Sequence, residues 1–573
     1  MKNSYVAAQL SMIADLLDIK GEGFFKVRAY RQAAQIIEDL DENIETITTE
    51  QRLKDLPHVG DAIAKKIKQL LTEGKIDFLE ELKSEIPPTL LEFLKIPSLG
   101  PKKVGTIYRE LHISTIAELK KAAQQGLLKD LEGFGEISEK SVLRGISFKE
   151  KIGDRVLLNV ATSDADLLIK YLSNYEHTQQ ISTAGSLRRM KETIGDLDIL
   201  IASNEPESVM EHFKKYDAVD SVLLSGPTKT SVRLLDDIQV DLRVVSKESY
   251  GAALQYFTGS KEHNVALRSL AVKKGWKLNE YGLYDKDNTI LASEKEEDIY
   301  HSLGLSYIPA ELRENRGEIE ASQHNTLPQL IKASDIKGDL HVHSTWSDGS
   351  ESAEAMARAA KQLGYSYVAI TDHSQSLTPA NGLSPKRIEK KQQEIKKIDS
   401  KLGDDFTVLC GTECDILKDG SMDYADHLLK SFDVVYAAIH THFNMTGEEA
   451  TKRICKALEN PHVDILAHPT CRLIGTRKGF DLDIETLLDC AKDHNTILEI
   501  NSFPDRLDLS DIHVKMGRER HLRFAIGSDS HNSSYLSYMK FGVAVARRGW
   551  LEKTDVLNTQ PIDTLLHTLG RER

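Results

Sequence analysis

Apolar positions along this 573-residue chain change their spacing from one region to the next. Through residues 1–150 they recur with helical periodicity between short turns, and FKVRAYRQAAQIIEDL reads as an amphipathic helix. From 151 to about 245 short apolar runs alternate with helical stretches, and LDIL and IQVDLRVV read as buried strands. Residues 312–335 are polar, charged and weakly periodic, which predicts a linker. Beyond them about seven short apolar strands are separated by helical stretches, the alternation of a (β/α) barrel. A chain this long with such shifts is multidomain. The predicted boundaries are two helical domains (1–83 and 84–150), an α/β domain (151–245), a further small domain (246–311), the linker (312–335) and the barrel (336–573).

Within the α/β domain, Asp196 and Asp198 are two apart, so on a strand both carboxylates point the same way. Asp241, on a second predicted strand, can supply a third. Three hard oxygen ligands suit two Mg²⁺ ions roughly 3.5–4 Å apart, an arrangement that serves in-line phosphoryl displacement. Gly185-Ser186 opens a short helical segment whose free N–H groups suit a phosphate, and Arg188 and Arg189 add positive charge. An isolated D-x-D is more often a charged strand edge. Here it follows G-S by nine residues and precedes a distant h-D-h-R.

The helical region carries LPHVGDAIAKKIKQLL, IPSLGPKKVGTIYREL and, more loosely, LEGFGEISEKSVLRGI, with Gly60, Gly100 and Gly135 at equivalent turns. Each turn leaves N–H groups for a phosphate, and Lys65 and Lys66 follow the first by one helical turn. Repetition makes sequence-independent duplex binding a better account than an ordinary helix turn. A net charge of −14 argues the other way, yet basic residues cluster locally at Lys65-Lys66, Lys102-Lys103, Arg188-Arg189 and Lys273-Lys274. The five cysteines form no C-x-x-C pair, so neither a disulfide framework nor a cysteine zinc site is expected. No apolar stretch is long enough to span a membrane, and a soluble, cytoplasmic protein is expected.

In the predicted barrel nearly every strand ends in a metal-type residue: His341 and His343, then Asp348; Asp372 and His373; Glu413; His440 and His442; His468; Asp529 and His531. A lone histidine is usually structural, but this recurrence at strand ends is not. Mixed imidazole and carboxylate donors favour Zn²⁺, Mn²⁺ or Fe²⁺ over Mg²⁺ alone.

G-S…D-L-D…V-D-L-R resembles the nucleotidyltransferase superfamily, and S-L-R-R with Y-F-T-G-S narrows the resemblance to the X-family (β-like) DNA polymerases over residues 1 to about 315. H-x-H-x-x-x-S-D-G, D-H, G-x-E, H, H-P and S-D-S-H resemble, in order, the polymerase and histidinol phosphatase (PHP) domain over 336 to about 570. The fold so implied is a set of helix-hairpin-helix N-terminal domains, an α/β palm and thumb, and a distorted (β/α)7 barrel. By resemblance Gly185, Ser186, Arg189, Tyr256, Phe257, Gly259 and Asn264 bind the nucleotide. Arg268 faces the template, and Lys26, Gly60, Gly100 and Gly135 contact DNA. Mg²⁺ or Mn²⁺ is expected on Asp196, Asp198 and Asp241. Up to three ions, Zn²⁺ and/or Mn²⁺, are expected on His341, His343, Asp348, His373, Glu413, His440, His468, Asp529 and His531, with Asp372 and His442 orienting ligands.

Lys66 matches the family's 5′-deoxyribose-phosphate lyase nucleophile, and Lys26 and Tyr30 match beside it. Ala62 replaces a basic residue of the vertebrate members, so a solvated phosphate-contacting lysine stands as the alternative. Gln239 and Lys261 also depart from the vertebrate pattern. The implied activity is gap filling in base excision repair on gapped or nicked duplex DNA with a dNTP, by a monomer. The resemblance also implies a 3′→5′ exonuclease in the barrel and, for the bacterial type, abasic-site incision. The alternatives are a nucleotidyltransferase on a non-DNA acceptor fused to a small-molecule phosphatase, and a non-catalytic DNA-end-binding scaffold.

Overall fold

The computed structural model describes residues 3–571 apart from 39, 41, 95, 97, 98, 136, 137, 141, 144, 147–152 and 154. The chain divides into one unit of residues 1–153 with 475–478, called the N-terminal unit below, and a larger unit of residues 154–474 and 479–573. Among the described residues, no helix is long and apolar enough to cross a membrane.

In the N-terminal unit, helices Asn3–Lys20 and Phe24–Glu38 bury Leu10, Ile13, Leu17, Ala33 and Ile37 in one cluster with Ile67, Leu70 and Phe93. Each large aliphatic side chain so buried contributes roughly 1.5–3 kcal/mol. Helix Asp61–Glu73 starts from Gly60 and helix Pro101–Leu111 from Gly100, and neither cap supplies a side-chain acceptor. Their first N–H groups therefore stay open to an anion. The third predicted hairpin continues from Gly135 into positions 136, 137, 141 and 144, which lie outside the described residues.

The larger unit begins with a five-stranded mixed sheet in the order Gln180–Thr183, Asp196–Ala202, Gln239–Val245, Lys229–Leu234, Val219–Ser225. The strands starting at Asp196 and Gln239 are parallel neighbours. Along the first of them Leu197 and Ile199 enter the core while Asp196 and Asp198 stay half-buried on the other face, the alternation that spacing predicts. Helices Tyr250–Thr258, Lys261–Lys273 and Glu296–Leu303 follow, with a small three-stranded antiparallel sheet.

The segment expected to be a linker is ordered. Arg313 is fully buried, with its Nη1 2.5 Å from Glu296 Oε1 and its guanidinium 5.0 Å from the Tyr300 ring centre. Glu318, also fully buried, lies 2.7 Å from His263 Nδ1 and opens helix Glu318–Gln323. The charges of Arg313 and Glu318 face inward and are paired, so polar composition here signals an internal ion network at these two positions, not a solvated strand of chain.

Seven parallel strands in chain order, Gly338–Val342 through Phe524–Gly527, form the predicted barrel, and a bridge between Val342 and Ser530 joins its last element to its first. One apolar cluster includes both palm residues such as Leu197 and Val240 and barrel residues such as Val342 and Ile526. Trp550, at the end of the chain's barrel region, belongs instead to the cluster around Leu312 and Ile319.

Candidate active sites of the palm and the barrel

Strand register places Asp198 opposite Asp241, and Asp196 opposite Gln239. All three predicted carboxylates thus share one face of the sheet, on two neighbouring interior strands. Burial, together with Asp196 and Asp241, pushes the Asp198 carboxyl up to about 7, and burial with Asp241 raises Asp196. Asp241 goes the other way: against burial, hydrogen bonds from Lys229, Gln239 and Ser231 hold it low. Lys229 Nζ lies 2.7 Å from Asp241 Oδ2, and Gln239 Nε2 donates to Oδ1 at 3.0 Å. Gln239, which departs from the family pattern, therefore still touches the third carboxylate, and Lys229 is a partner that sequence reasoning missed.

Gly185 has φ +58, and a Cβ there would meet Asp198 Oδ2 at 2.1 Å. Only glycine lets this turn approach the carboxylate. Gly259, at φ +69, sits similarly against Arg189, whose Nη1 would be 3.2 Å from an added Cβ. Arg189 donates Nη1 to the Thr258 carbonyl at 2.5 Å and Nε to Glu314 at 3.0 Å, while Arg188 makes two bonds of 2.8 Å to Glu296. Ser186 is half-buried in the same turn. Tyr256 and Phe257 meet edge to face at 5.2 Å, and the Arg243 guanidinium covers Phe257 at 4.3 Å. Asn264 accepts from Gln255 at 2.7 Å and donates to the Tyr256 carbonyl at 2.7 Å, so in this conformation its amide is turned inward. Arg268 is exposed on the helix beyond it.

In the N-terminal unit Lys66 Nζ lies 4.7 Å from the Phe78 ring centre and 5.9 Å from that of Tyr30, with Lys26 also over Phe78 at 5.6 Å. Burial and Lys26 lower the Lys66 pKa.

The predicted barrel ligands converge on Glu413. His373 Nδ1, His440 Nε2 and His468 Nε2 lie 3.0, 3.1 and 2.8 Å from its carboxylate, and His343 Nε2 lies 3.5 Å away. Among the described residues three groups bring their donor atoms within 4.8 Å of one another: His343, Asp348, His373 and His531; His341, His343 and Asp529; His373, Glu413 and His440. His468 stands outside these groups but against Glu413; His442 stands outside them too. His341 Nε2, both nitrogens of His343, His373 Nδ1 and His468 Nδ1 are buried without a hydrogen-bond partner. Buried imidazole nitrogens left bare beside carboxylates are what a divalent cation would satisfy, so the donor set fits metal. Burial and the neighbouring His531 and His373 push His343 down to about 4, which keeps its lone pairs available.

Two carboxylates that sequence reasoning missed orient these rings: Glu499 Oε1 lies 2.6 Å from His341 Nδ1, and Asp415 Oδ1 lies 2.6 Å from His440 Nδ1. Asp372 holds Ser344, Ser347 and Lys391 instead of a ligand ring. Arg506, also missed, sets its Nε 3.3 Å from Asp529 Oδ2. No described residue accepts a hydrogen bond from its two terminal nitrogens. Its signal was present in ILEINSF and the DRLDL that follows, but nothing local says which way an arginine in a loop will turn.

Three domain profiles match parts of this chain. A helix-hairpin-helix domain profile matches residues 1–76, a DNA polymerase beta thumb profile residues 253–314, and a PHP domain profile residues 339–503. The chain is 40% identical over 556 residues, 96% of each protein, to a DNA polymerase/3′-5′ exonuclease PolX of Bacillus subtilis (strain 168). It is 28% identical over 232 residues to a probable phosphatase of Thermoanaerobacter sp. (strain X514), covering 39% of this chain and 89% of that one. A probable phosphatase of Caldanaerobacter subterraneus subsp. tengcongensis is 29% identical over 204 residues, 34% of this chain and 75% of the relative.

Proposed function

Because the chain belongs to the bacterial X-family DNA polymerases that carry a C-terminal PHP domain, and is a DNA polymerase with a 3′→5′ exonuclease, we propose that its two chemistries divide between two donor sets. Asp196, Asp198 and Asp241 serve nucleotide addition. The imidazole-rich set around Glu413 serves hydrolysis. The observation that carries this division is the contrast in donors: carboxylates on one face of the palm sheet, bare buried imidazoles in the barrel.

Divalent ions supply Lewis acidity at both sites, Mg²⁺ or Mn²⁺ on the palm carboxylates and Mn²⁺ or Zn²⁺ on His341, His343, Asp348, His373, Glu413, His440, His468, Asp529 and His531. The chain's own groups do the rest. The N–H groups behind Gly185 and Ser186, with Arg189, bind the triphosphate of a dNTP. Tyr256, Phe257 and Gly259 wall the sugar, Asn264 turns out to the nascent base pair, and Arg268 faces the template. Gly60 and Gly100 bring open helix ends against duplex phosphates, Gly135 contacts DNA beside them, and Lys26 and Lys66 take the downstream end, so short gaps with a 5′-phosphate are the preferred substrate, as in base excision repair. Incision at abasic sites belongs with the barrel.

The test crosses two substitutions in the full chain on one labelled, gapped primer. Asp196→Ala should abolish extension and spare degradation, while His341→Ala does the reverse. Loss of both activities in either variant would defeat the division.

The Lys66 environment favours a second activity. A lysine lowered by burial and a neighbouring ammonium is suited to attack an aldehyde. Borohydride trapping on a 5′-deoxyribose-phosphate end, lost in Lys66→Ala, would support a lyase; equal trapping in both proteins would remove it.

A further inference from the structure

The barrel grips the palm beside the nucleotide arm through charged groups that neither chemistry uses. Residues 189–192 join the helical turn Gly185–Arg188 to the strand pair that leads into Asp196. The barrel holds this connection at both ends. At one end Arg548, buried and the last residue of helix Met539–Arg548, donates Nη1 to the Arg189 carbonyl at 2.6 Å and to Glu314 Oε1 at 3.1 Å. Its Nη2 donates to Asp511 Oδ2 at 2.7 Å, an acceptor shared with Arg316 at 3.0 Å. At the other end Arg472 donates to Glu192 Oε2 at 2.7 Å and also holds the carbonyls of Arg506 and Leu507.

Glu314 is the joint in this network. The same oxygen that takes Arg548 also takes Arg189 Nε at 3.0 Å, and Arg189 Nη1 is fixed on Thr258, directly before Gly259. A largely buried charged hydrogen bond has little water to replace a lost partner, so the orientation of one member constrains the next. Arg189 can thus present its remaining nitrogen to a ligand in only one direction, and that direction is set from the barrel.

We propose that the barrel is a positioning element of the polymerase: Arg548, through Glu314 and the Arg189 carbonyl, sets the Arg189 guanidinium for triphosphate binding. This rests on the reading of Arg189 as a phosphate-binding residue. Arg548 touches no substrate and is a positioning residue, not a catalytic one.

The experiment uses the full chain carrying Arg548→Ala, Arg548→Lys or Arg189→Ala. It reads KM for dNTP and kcat on gapped DNA, 3′→5′ degradation as a check that the barrel is folded, and amide hydrogen exchange over residues 186–192. Arg548→Ala should raise KM about tenfold, the loss of one charge-assisted hydrogen bond, with kcat and degradation near those of the parent and exchange faster. Arg548→Lys should recover part of the KM, because an ammonium reaches one of the two acceptors. Combined with Arg189→Ala, the Arg548→Ala change should add nothing further. Should Arg548→Ala lose degradation, Glu314→Gln carries the same expectation from the polymerase side. An unchanged KM in Arg548→Ala, with Arg189→Ala raised, overturns the proposal. An unchanged KM in Arg189→Ala overturns the reading beneath it, and that failure is recognised because exchange still quickens in Arg548→Ala.

Discussion

The Asp198 carboxylate occupies the place where a side chain on Gly185 would begin, 2.1 Å from its ideal Cβ. The turn before strand Asp196–Ala202 and the carboxylate on that strand are therefore one construction. Gly185→Ala is expected to move Asp198 or the turn by about 1 Å, a displacement that costs about a hundredfold where reacting atoms must be aligned. Primer extension by this variant should fall by that order while gapped-DNA binding, measured by fluorescence anisotropy, stays at the parental level. Parental extension would show that Asp198 is not positioned by the turn.

Glu499 lies 2.6 Å from the ring nitrogen of His341 that faces away from Glu413. Carboxylates so placed orient a ligating imidazole, and their loss typically weakens metal binding about 10–100-fold. Glu499→Gln is expected to lower the metal retained by the barrel after dialysis, measured by elemental analysis, and to lower degradation in proportion. Extension should be unaffected.

Arg506 brings an uncommitted guanidinium end to the barrel ligands, and guanidinium is the cation best shaped to hold a phosphate through two hydrogen bonds. Arg506→Ala is expected to cut degradation about tenfold or more through KM for the primer, with metal content unchanged. A fall in metal content equal to the fall in activity would instead make Arg506 a support for Asp529.

The thumb carries its own acid-sensitive lock. Glu296 is held at about 2 by Arg313 and Arg188 against burial that acts the other way. A depressed carboxylate stabilises the fold fully above its unfolded value near 4.5, and the contribution is lost as pH falls toward 2. Its size is about 3 kcal/mol by linkage. Amide exchange in helix Glu296–Leu303 should quicken across that window. Glu296→Gln, which leaves the buried Arg313 and the half-buried Arg188 short of a countercharge, should quicken it already at pH 7 and flatten the pH dependence.

The convergence of the palm carboxylates and of the barrel donors was legible in the sequence because each rests on a short-range rule. Asp196 and Asp198 share a face by the two-residue period of a strand, and His341, His343, His373, Glu413, His440, His468 and Asp529 sit where apolar strand runs stop. Their partners were not legible. Glu499 meets His341 across 158 positions, Arg548 meets Glu314 across 234 and Arg472 meets Glu192 across 280. No local period encodes which charges will face one another after the sheet and barrel close. The segment 312–335 shows the same limit from the other side: composition marks Arg313 and Glu318 as surface residues, and only the packing around Tyr300 and His263 turns them inward, where pairing outweighs the cost of leaving water.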